Sequence, residues 1–165
     1  MSAELYQRMN SVLKNVFFVT DRPEKKPVQG APTITDLQSE IGPIGGLYTA
    51  LHHAKYEYCF ISACDLPFLE SELIDLLWSE VQSDSDIVVP VWENKLEPLA
   101  SFYHKRCLPA IETSLTDERF LMKGFWDHLR VAYIDLGTYF PPEKLHRMFF
   151  NINTPADFET AKKWQ

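Results

Sequence analysis

Three observations predict an α/β fold with a mostly parallel central sheet. Runs of mostly apolar residues at 16–20, 58–63 and 86–91 are typical of strands that are buried on both faces. Segments with helical spacing of apolar residues alternate with these runs. The composition does not shift along the 165 residues, so we expect a single domain over 1–165.

The N-terminal half is predicted to contain three helices and three strands. Leu5, Met9 and Leu13 share one face of the first helix. Pro43 suits the first turn of the second helix, because a backbone N–H is not needed there. Prolines and charges at 22–32 indicate a surface loop. The predicted helices cover 3–14, 43–55 and 70–82, and the predicted strands cover 16–20, 33–35 and 58–63.

The C-terminal half continues the alternation of strands and helices. Thr154 suits the N-cap of the last helix, with Pro155 in its first turn. The predicted helices cover 106–115 and 118–129 and a last segment from 155, and the predicted strands cover 86–91, 99–103, 131–135 and 149–152.

Charge and composition exclude several classes of function. The sequence contains 16 Lys and Arg residues and 23 Asp and Glu residues. The resulting net charge of −7 argues against a nucleic-acid partner. Neither a GxGxxG nor a GxxxxGK[ST] pattern occurs in the sequence, which excludes the standard Rossmann dinucleotide fingerprint and the P-loop. No apolar stretch is long enough for a bilayer, and the first residues are polar, so we expect a cytoplasmic protein without a membrane partner.

Three loops carry the candidate chemistry, since ligands of open parallel sheets bind at the carboxyl ends of the strands. Gly42–Gly46 precedes a helix, where backbone N–H groups favour an anion, although a tight turn would also explain the glycines. Asp65 directly follows a strand and is a candidate Mg²⁺ ligand, although it could merely cap a turn. Asn151 and Asn153 would project together from a strand, or else form the turn before the last helix. Asp36 follows the short strand at 33–35 and could face the same cleft, although an aspartate on the surface is the default interpretation.

Four segments, taken together, resemble the molybdenum cofactor guanylyltransferases of the MobA family. They are GPIGGL at 42–47, SACDLPFL at 62–69, LEPLASFYHKRCLPAIETSL at 96–115 and FFNINTPADF at 149–158. The resemblance extends from about Val16 to Phe158. It implies a Rossmann-like three-layer nucleotidyltransferase fold.

The resemblance also implies a reaction and roles for residues. GMP would be transferred from Mg²⁺-bound GTP to the terminal phosphate of the molybdopterin cofactor, and pyrophosphate would be released. Asp65 would be a catalytic residue that binds Mg²⁺ and nucleotide, and Asp36, Gly42 and Gly46 would frame the guanine nucleotide site. The NxN pair would lie on the molybdopterin side, with the second of these asparagines also catalytic. Proteins of molybdoenzyme maturation are further expected partners.

The sequence departs from the family at its start. Family members begin with a strand and a glycine-rich loop that wraps the triphosphate and supplies a lysine, and nothing in 1–30 resembles them. We therefore expect a sheet without its first strand, and weak or no transferase activity from this chain. The alternatives are a molybdenum cofactor cytidylyltransferase relative and a non-catalytic binding remnant.

Overall fold

A computed structural model describes residues 2–22, 24, 28–38, 40–152 and 154–164. The helices are α1 (Ser2–Val12), α2 (Pro43–His53), α3 (Ser71–Ser79), α4 (Leu108–Thr116), α5 (Pro142–Met148) and α6 (Pro155–Lys162). The strands are β1 (Phe18–Thr20), β2 (Thr33–Thr35), β3 (Tyr58–Ser62), β4 (Ile87–Trp92), β5 (Lys95–Leu96), β6 (Ala100–His104) and β7 (Val131–Asp135). Short 3₁₀ turns follow β6 at Lys105–Cys107 and β7 at Leu136–Thr138.

Most of the predicted helices and strands are confirmed, and two are wrong. The segment 118–129 forms turns instead of a helix, because Glu118 and His128 adopt left-handed backbone angles (φ 55° and 67°). The segment 149–152 is not a strand. The side chains of this segment pack against other parts of the protein. Phe149 packs against the core, and the Phe150 ring lies 4.9 Å from that of Trp164.

The predicted α/β class with a mostly parallel sheet is confirmed. β4 pairs in parallel with β7, and β1 pairs in parallel with β2. β6 runs antiparallel between β3 and β4, so β3 and β4 point the same way. Helix α2 connects the carboxyl end of β2 to the start of β3. Within the larger sheet, β5 and β6 run opposite to β3, β4 and β7.

Helices cover both faces of the sheet and form two hydrophobic cores. Alternate residues of β3 divide between them, with Phe60 in one core and Ile61 packed against the other. The first core lies under α1, α3 and α5, and its fully buried residues include Leu73 and Leu145. The second lies under α2 and α4, where Leu47 and Ile111 are fully buried. None of the described helices is both long and apolar enough to cross a membrane.

The described strands form two separate sheets. β1 and β2 form one sheet, while β3, β6, β4, β5 and β7 form the other. A cavity of about 280 Å³ lies between Phe17–Val19 on one side and Cys59–Cys64 on the other. Helices α1 and α2 line its two faces through residues such as Met9 and Ala50. The expectation of a sheet that lacks one strand agrees with this division between β1 and β3.

At the amino end of β4, the buried carboxylate of Asp86 ties three segments together. Its Oδ1 accepts a 2.8 Å hydrogen bond from Arg106 Nε, and its Oδ2 accepts one of 3.0 Å from the Arg130 backbone N–H. Burial alone would raise the pKa of Asp86, but these hydrogen bonds outweigh it and lower the pKa below its ordinary value of 3.8.

We expect Asp86→Asn to reduce the free energy of unfolding by about 2 kcal/mol at pH 7, because two hydrogen bonds lose a charged acceptor. A lowered pKa in the folded state stabilises the protein above pH 3.8, and this contribution is lost as the pH falls through the folded-state pKa. The difference between the two proteins, measured by urea denaturation, should therefore shrink below that pH. The matched control is Asp84→Asn, which removes an exposed ion pair and should cost less than about 1 kcal/mol. Equal costs for the two variants would contradict the assignment.

Candidate functional site

Asp65 lies just beyond the carboxyl end of β3, between a strand and a buried segment. The Ala63 N–H donates a 3.1 Å hydrogen bond to the Leu99 carbonyl, which extends the β3–β6 pairing by one residue. Residues Leu66–Leu69 are then buried, which fixes the chain on the other side of Asp65. The Asp65 side chain is partly exposed, but its Oδ1 atom is buried and has no hydrogen-bond partner among the described residues. A buried carboxylate oxygen without a partner is costly unless a ligand completes it.

The loop before α6 reaches the same place. The Ile152 N–H donates a 3.2 Å hydrogen bond to the Asp65 carbonyl, so the segment around Asn151 lies beside the β3 exit. The Asn151 side chain is exposed. Asn153 lies outside the described residues. The predicted cap of α6 is present, because Thr154 and Asp157 exchange hydrogen bonds in a capping box.

The start of α2 faces the β3 exit across the cavity between β1 and β3. Pro43 and Gly46 line this cavity together with Ala63 and Cys64. Gly42 is the N-cap of α2 with φ 80°, a backbone angle that other residues rarely adopt. A Cβ on Gly46 would meet nothing within 4 Å, whereas a Cβ on Gly45 would lie 2.3 Å from the Gln38 carbonyl oxygen. Gly45 therefore serves packing, and Gly46 leaves open space at the helix start.

Asp36 follows β2 and organises the turn into α2. Its Oδ1 accepts hydrogen bonds from Thr49 Oγ1 at 2.7 Å and from the Gln38 N–H at 3.0 Å. Thr49 in turn accepts a hydrogen bond from the Leu37 N–H. One oxygen of Asp36 thus has a structural role, and a role of this carboxylate in guanine binding stays a prediction.

Comparison with known proteins identifies the family of this chain. The family model described as the MobA-like NTP transferase domain matches residues 1–131. A molybdenum cofactor guanylyltransferase of Desulfosudis oleivorans is 32% identical, and the match covers 98% of this chain and 80% of the relative. The chain belongs to the MobA-like NTP transferase family.

Solved structures agree with this membership of the MobA-like family. A crystal structure of a protein from Aquifex aeolicus aligns over 93% of this chain and 78% of its own, with a TM-score of 0.80 and 29% identity. The molybdopterin-guanine dinucleotide biosynthesis protein A of Archaeoglobus fulgidus aligns over 81% of this chain and 68% of its own, with a TM-score of 0.70 and 27% identity. The fold and the family were both predicted correctly from the sequence motifs.

Arg8 is a residue of this MobA-like domain that sequence reasoning missed. Its guanidinium donates hydrogen bonds of 3.1 Å and 2.7 Å to the carbonyls of Pro67 and Leu69. Helix α1 is thereby fastened to the segment that follows Asp65. No local pattern predicts this role, since about 60 residues separate the partners in sequence.

The loop before β6 is held at the same edge of the MobA-like domain. The buried Tyr103 hydroxyl donates to the Pro98 carbonyl at 2.8 Å, and the Ser101 hydroxyl donates to the Glu97 carbonyl at 2.7 Å. Burial raises the pKa of the Glu97 carboxyl. The LEPL motif at 96–99 thus places a second partly buried carboxyl group at the carboxyl edge of the sheet.

Aromatic rings connect the segment after Asp65 to the residues just beyond α6. The Trp164 ring lies 5.5 Å from that of Phe68 and 4.9 Å from that of Phe150. Arg147 stacks on Phe68 and donates a 2.8 Å hydrogen bond to the Trp164 carbonyl. Both loops that flank the site therefore pack against the same Trp164 ring.

We expect Gly45→Ala to reduce the free energy of unfolding by about 1–3 kcal/mol, because the added Cβ would collide with the Gln38 carbonyl. The matched control is Gly46→Ala, one position later in α2, where a Cβ has open space. This control should be neutral or should stabilise by up to about 1 kcal/mol through helix propensity. Chemical denaturation of the two variants tests the assignment, and a Gly45→Ala protein as stable as its control would refute it.

We expect Arg8→Met to cost about 2 kcal/mol of stability, since two carbonyls near the site lose a charged donor. Arg8→Lys should recover part of this loss. Arg22→Met, at an exposed position, should change the free energy of unfolding by less than about 0.5 kcal/mol. Denaturation midpoints of the three variants test this role. If Arg8→Met and Arg22→Met lower the midpoint equally, Arg8 does not stabilise the segment that follows Asp65.

Proposed function

We propose that this chain is a molybdenum cofactor guanylyltransferase-type protein that binds GTP and the molybdopterin cofactor at the carboxyl edge of the sheet. The observation that carries the proposal is the buried Asp65 Oδ1 without a partner, at the point where the β3 exit and the 150–152 segment meet. The names of the relatives support the choice of substrates.

Mg²⁺ fits the donors that the site offers. No group of three or more His, Cys, Asp or Glu side chains comes together as a metal site in the part of the chain that the structure describes. A cation held by Asp65 would therefore take its other ligands from substrate phosphates and water, which is the usual arrangement for Mg²⁺. When bound, the cation would neutralise charge on the phosphates during transfer.

The proposed reaction exchanges one phosphoanhydride bond for another. An oxygen of the terminal phosphate of molybdopterin forms a bond to the α-phosphorus of GTP, the bond from that phosphorus to the bridging oxygen breaks, and pyrophosphate leaves. The protein contributes mainly positioning and electrostatic stabilisation. Gly42 and Gly46 would let the nucleotide approach the start of α2, with Asp36 near the base. Asn151 and Asn153 would bind the pterin through their carboxamides.

Turnover by this chain is proposed to be weak or absent. Among the described residues, neither a lysine nor an arginine lines the cavity between β1 and β3. Transfer from a nucleoside triphosphate needs cationic groups around the phosphates, and a single Mg²⁺ supplies only part of that charge. Nucleotide binding is therefore the property to test first, with pyrophosphate release as the second readout.

We expect Mg²⁺ and GTP together to raise the melting temperature, and Asp65→Asn to abolish this rise, because the variant lacks the carboxylate that would hold the cation. The control is Asp127→Asn, an exposed aspartate far along the chain, which should leave the rise unchanged. Differential scanning fluorimetry with and without Mg²⁺ measures both. An undiminished response of the Asp65 variant would overturn the proposed site.

The same assay distinguishes the guanylyltransferase from the cytidylyltransferase alternative. We expect stabilisation by Mg²⁺ with GTP to exceed that by Mg²⁺ with CTP at equal concentrations. The reverse order would identify a cytidylyltransferase relative. Stabilisation by neither nucleotide would favour a non-catalytic binding protein.

A further inference from the structure

We propose that β7 is an association surface through which two copies of this chain pair, antiparallel and across a twofold axis at Tyr133. The pairing would make one continuous sheet from the larger sheets of the two copies. This inference concerns a protein partner, namely a second copy of the chain, and it does not depend on the proposed nucleotide site.

One edge of β7 has no strand beside it. The larger sheet runs in the order β3, β6, β4 and β7, with the short β5 beside the end of β4. Among the described strands, β7 pairs with β4 alone. The Tyr133 side chain is 58% exposed, and Asp135 is exposed as well. An open strand edge of this kind is a template for pairing with another chain.

The backbone of β7 directs a row of hydrogen-bonding groups to this open edge. The Arg130 carbonyl accepts from the Ile87 N–H, and the parallel register sets Ile87 opposite Val131. Even-numbered residues therefore turn their N–H and C=O groups toward β4. Val131, Tyr133 and Asp135 turn theirs toward the open edge. The Asp135 carbonyl also begins the 3₁₀ turn after β7, whereas the other groups of this row are available to a partner strand.

The strand is complementary to itself in an antiparallel register centred on Tyr133. In that register, Tyr133 faces Tyr133 of the second copy, and the two residues exchange both of their hydrogen bonds. The Val131 carbonyl accepts from the Asp135 N–H of the second copy at each end.

The charges at the ends of β7 favour the same arrangement. Arg130 directly precedes the strand and Asp135 ends it. Antiparallel pairing brings Arg130 of one copy to the end of the strand where Asp135 of the other lies. Parallel pairing would instead set Asp135 beside Asp135, and like charges directly opposite are destabilising. The twofold contact also closes at two copies, because both use the same surface.

The competing strand edges are short or covered. β2 comprises three residues directly after Pro32, and β5 comprises two. Short strands and prolines are devices by which proteins prevent edge pairing. The second edge of β3 faces the cavity beside Phe17–Val19, which α1 and α2 also line, so a folded copy cannot reach it. β7 has five residues without a proline or a lysine, and Val131–Ile134 are uncharged.

Tyr133 would add a side-chain contact on the twofold axis. Residues directly opposite in an antiparallel pair have Cβ atoms about 4.5–5.5 Å apart, so the two exposed rings would cover one another. Five residues from each copy form a contact well below the roughly 800 Å² per partner of a standard interface. We therefore expect a weak dimer, with a dissociation constant on the order of 100 µM.

Sedimentation equilibrium of the full chain, without nucleotide or metal, measures the dimer at concentrations from about 10 µM to about 1 mM, which bracket the expected constant. We expect Tyr133→Lys to raise the dissociation constant at least about 10-fold, because it sets two like charges against one another on the axis. The matched control is Tyr56→Lys, before β3, where the tyrosine is 55% exposed. This control should leave the dissociation constant unchanged.

A second pair of variants separates backbone pairing from contact between the rings. Tyr133→Pro removes the outward N–H, which β4 does not use, and should abolish the dimer. Tyr133→Thr keeps this N–H and should weaken the dimer only a few-fold. A thermal melt of each variant checks that it is folded.

Amide hydrogen exchange supplies a readout that needs no variant. As the protein concentration rises, the amides of Val131, Tyr133 and Asp135 should become protected. The amides of Ala132 and Ile134, which face β4, should change little.

Three outcomes would overturn the proposal. A monomer at every concentration would mean that the open edge of β7 does not pair. A dimer that tolerates both Tyr133→Lys and Tyr133→Pro would mean that the copies meet at another surface. Concentration-dependent protection of Phe60 and Ser62 in place of Tyr133 would mean that they meet at the edge of β3.

Discussion

The burial of Leu66–Leu69 is the constraint on which the site depends. Because this short segment is packed into the core immediately after β3, Asp65 has little freedom to move away from the strand end. Arg8 holds the segment from α1, and the Trp164 ring, just beyond the end of α6, packs against Phe68 within the segment. A carboxylate fixed in this way loses little conformational entropy when a ligand binds, which is the general advantage of a preorganised site.

The site and the divided sheet occupy neighbouring parts of one crevice. The start of α2 belongs to both, since Gly46 lines the cavity between β1 and β3 and lies across from the β3 exit.

The sequence predicted the fold class and the family because its signals are local and strong. The apolar runs that become β3 and β4, and Asp65 directly after β3, are visible in a short window. The segment 149–152 looked like a strand because periodicity cannot tell ring packing from sheet pairing. The reversed direction of β6 and the contacts of Arg8 depend on residues distant in sequence, so no local pattern could contain them.

The sequence indicated which residues form the candidate site, but not which neighbouring residues they contact. The sequence placed Asp36 near the cleft, yet the bond between its carboxylate and Thr49 appears only when α2 packs beside β2. Likewise, the glycines at the start of α2 look equivalent in sequence. The nearby Gln38 carbonyl makes Gly45 a packing requirement and leaves Gly46 facing open space.

The separation of β1 and β2 from the larger sheet has a consequence for how the domain unfolds. In the described structure, no strand-to-strand hydrogen bond connects the two sheets, so the small one is held mainly by side-chain packing and by the turn at Asp36. Segments with few cooperative backbone bonds to their surroundings open before the global transition. The β1–β2 pair is therefore a natural subglobal unfolding unit, whose loss would leave β3, β4, β6 and β7 paired.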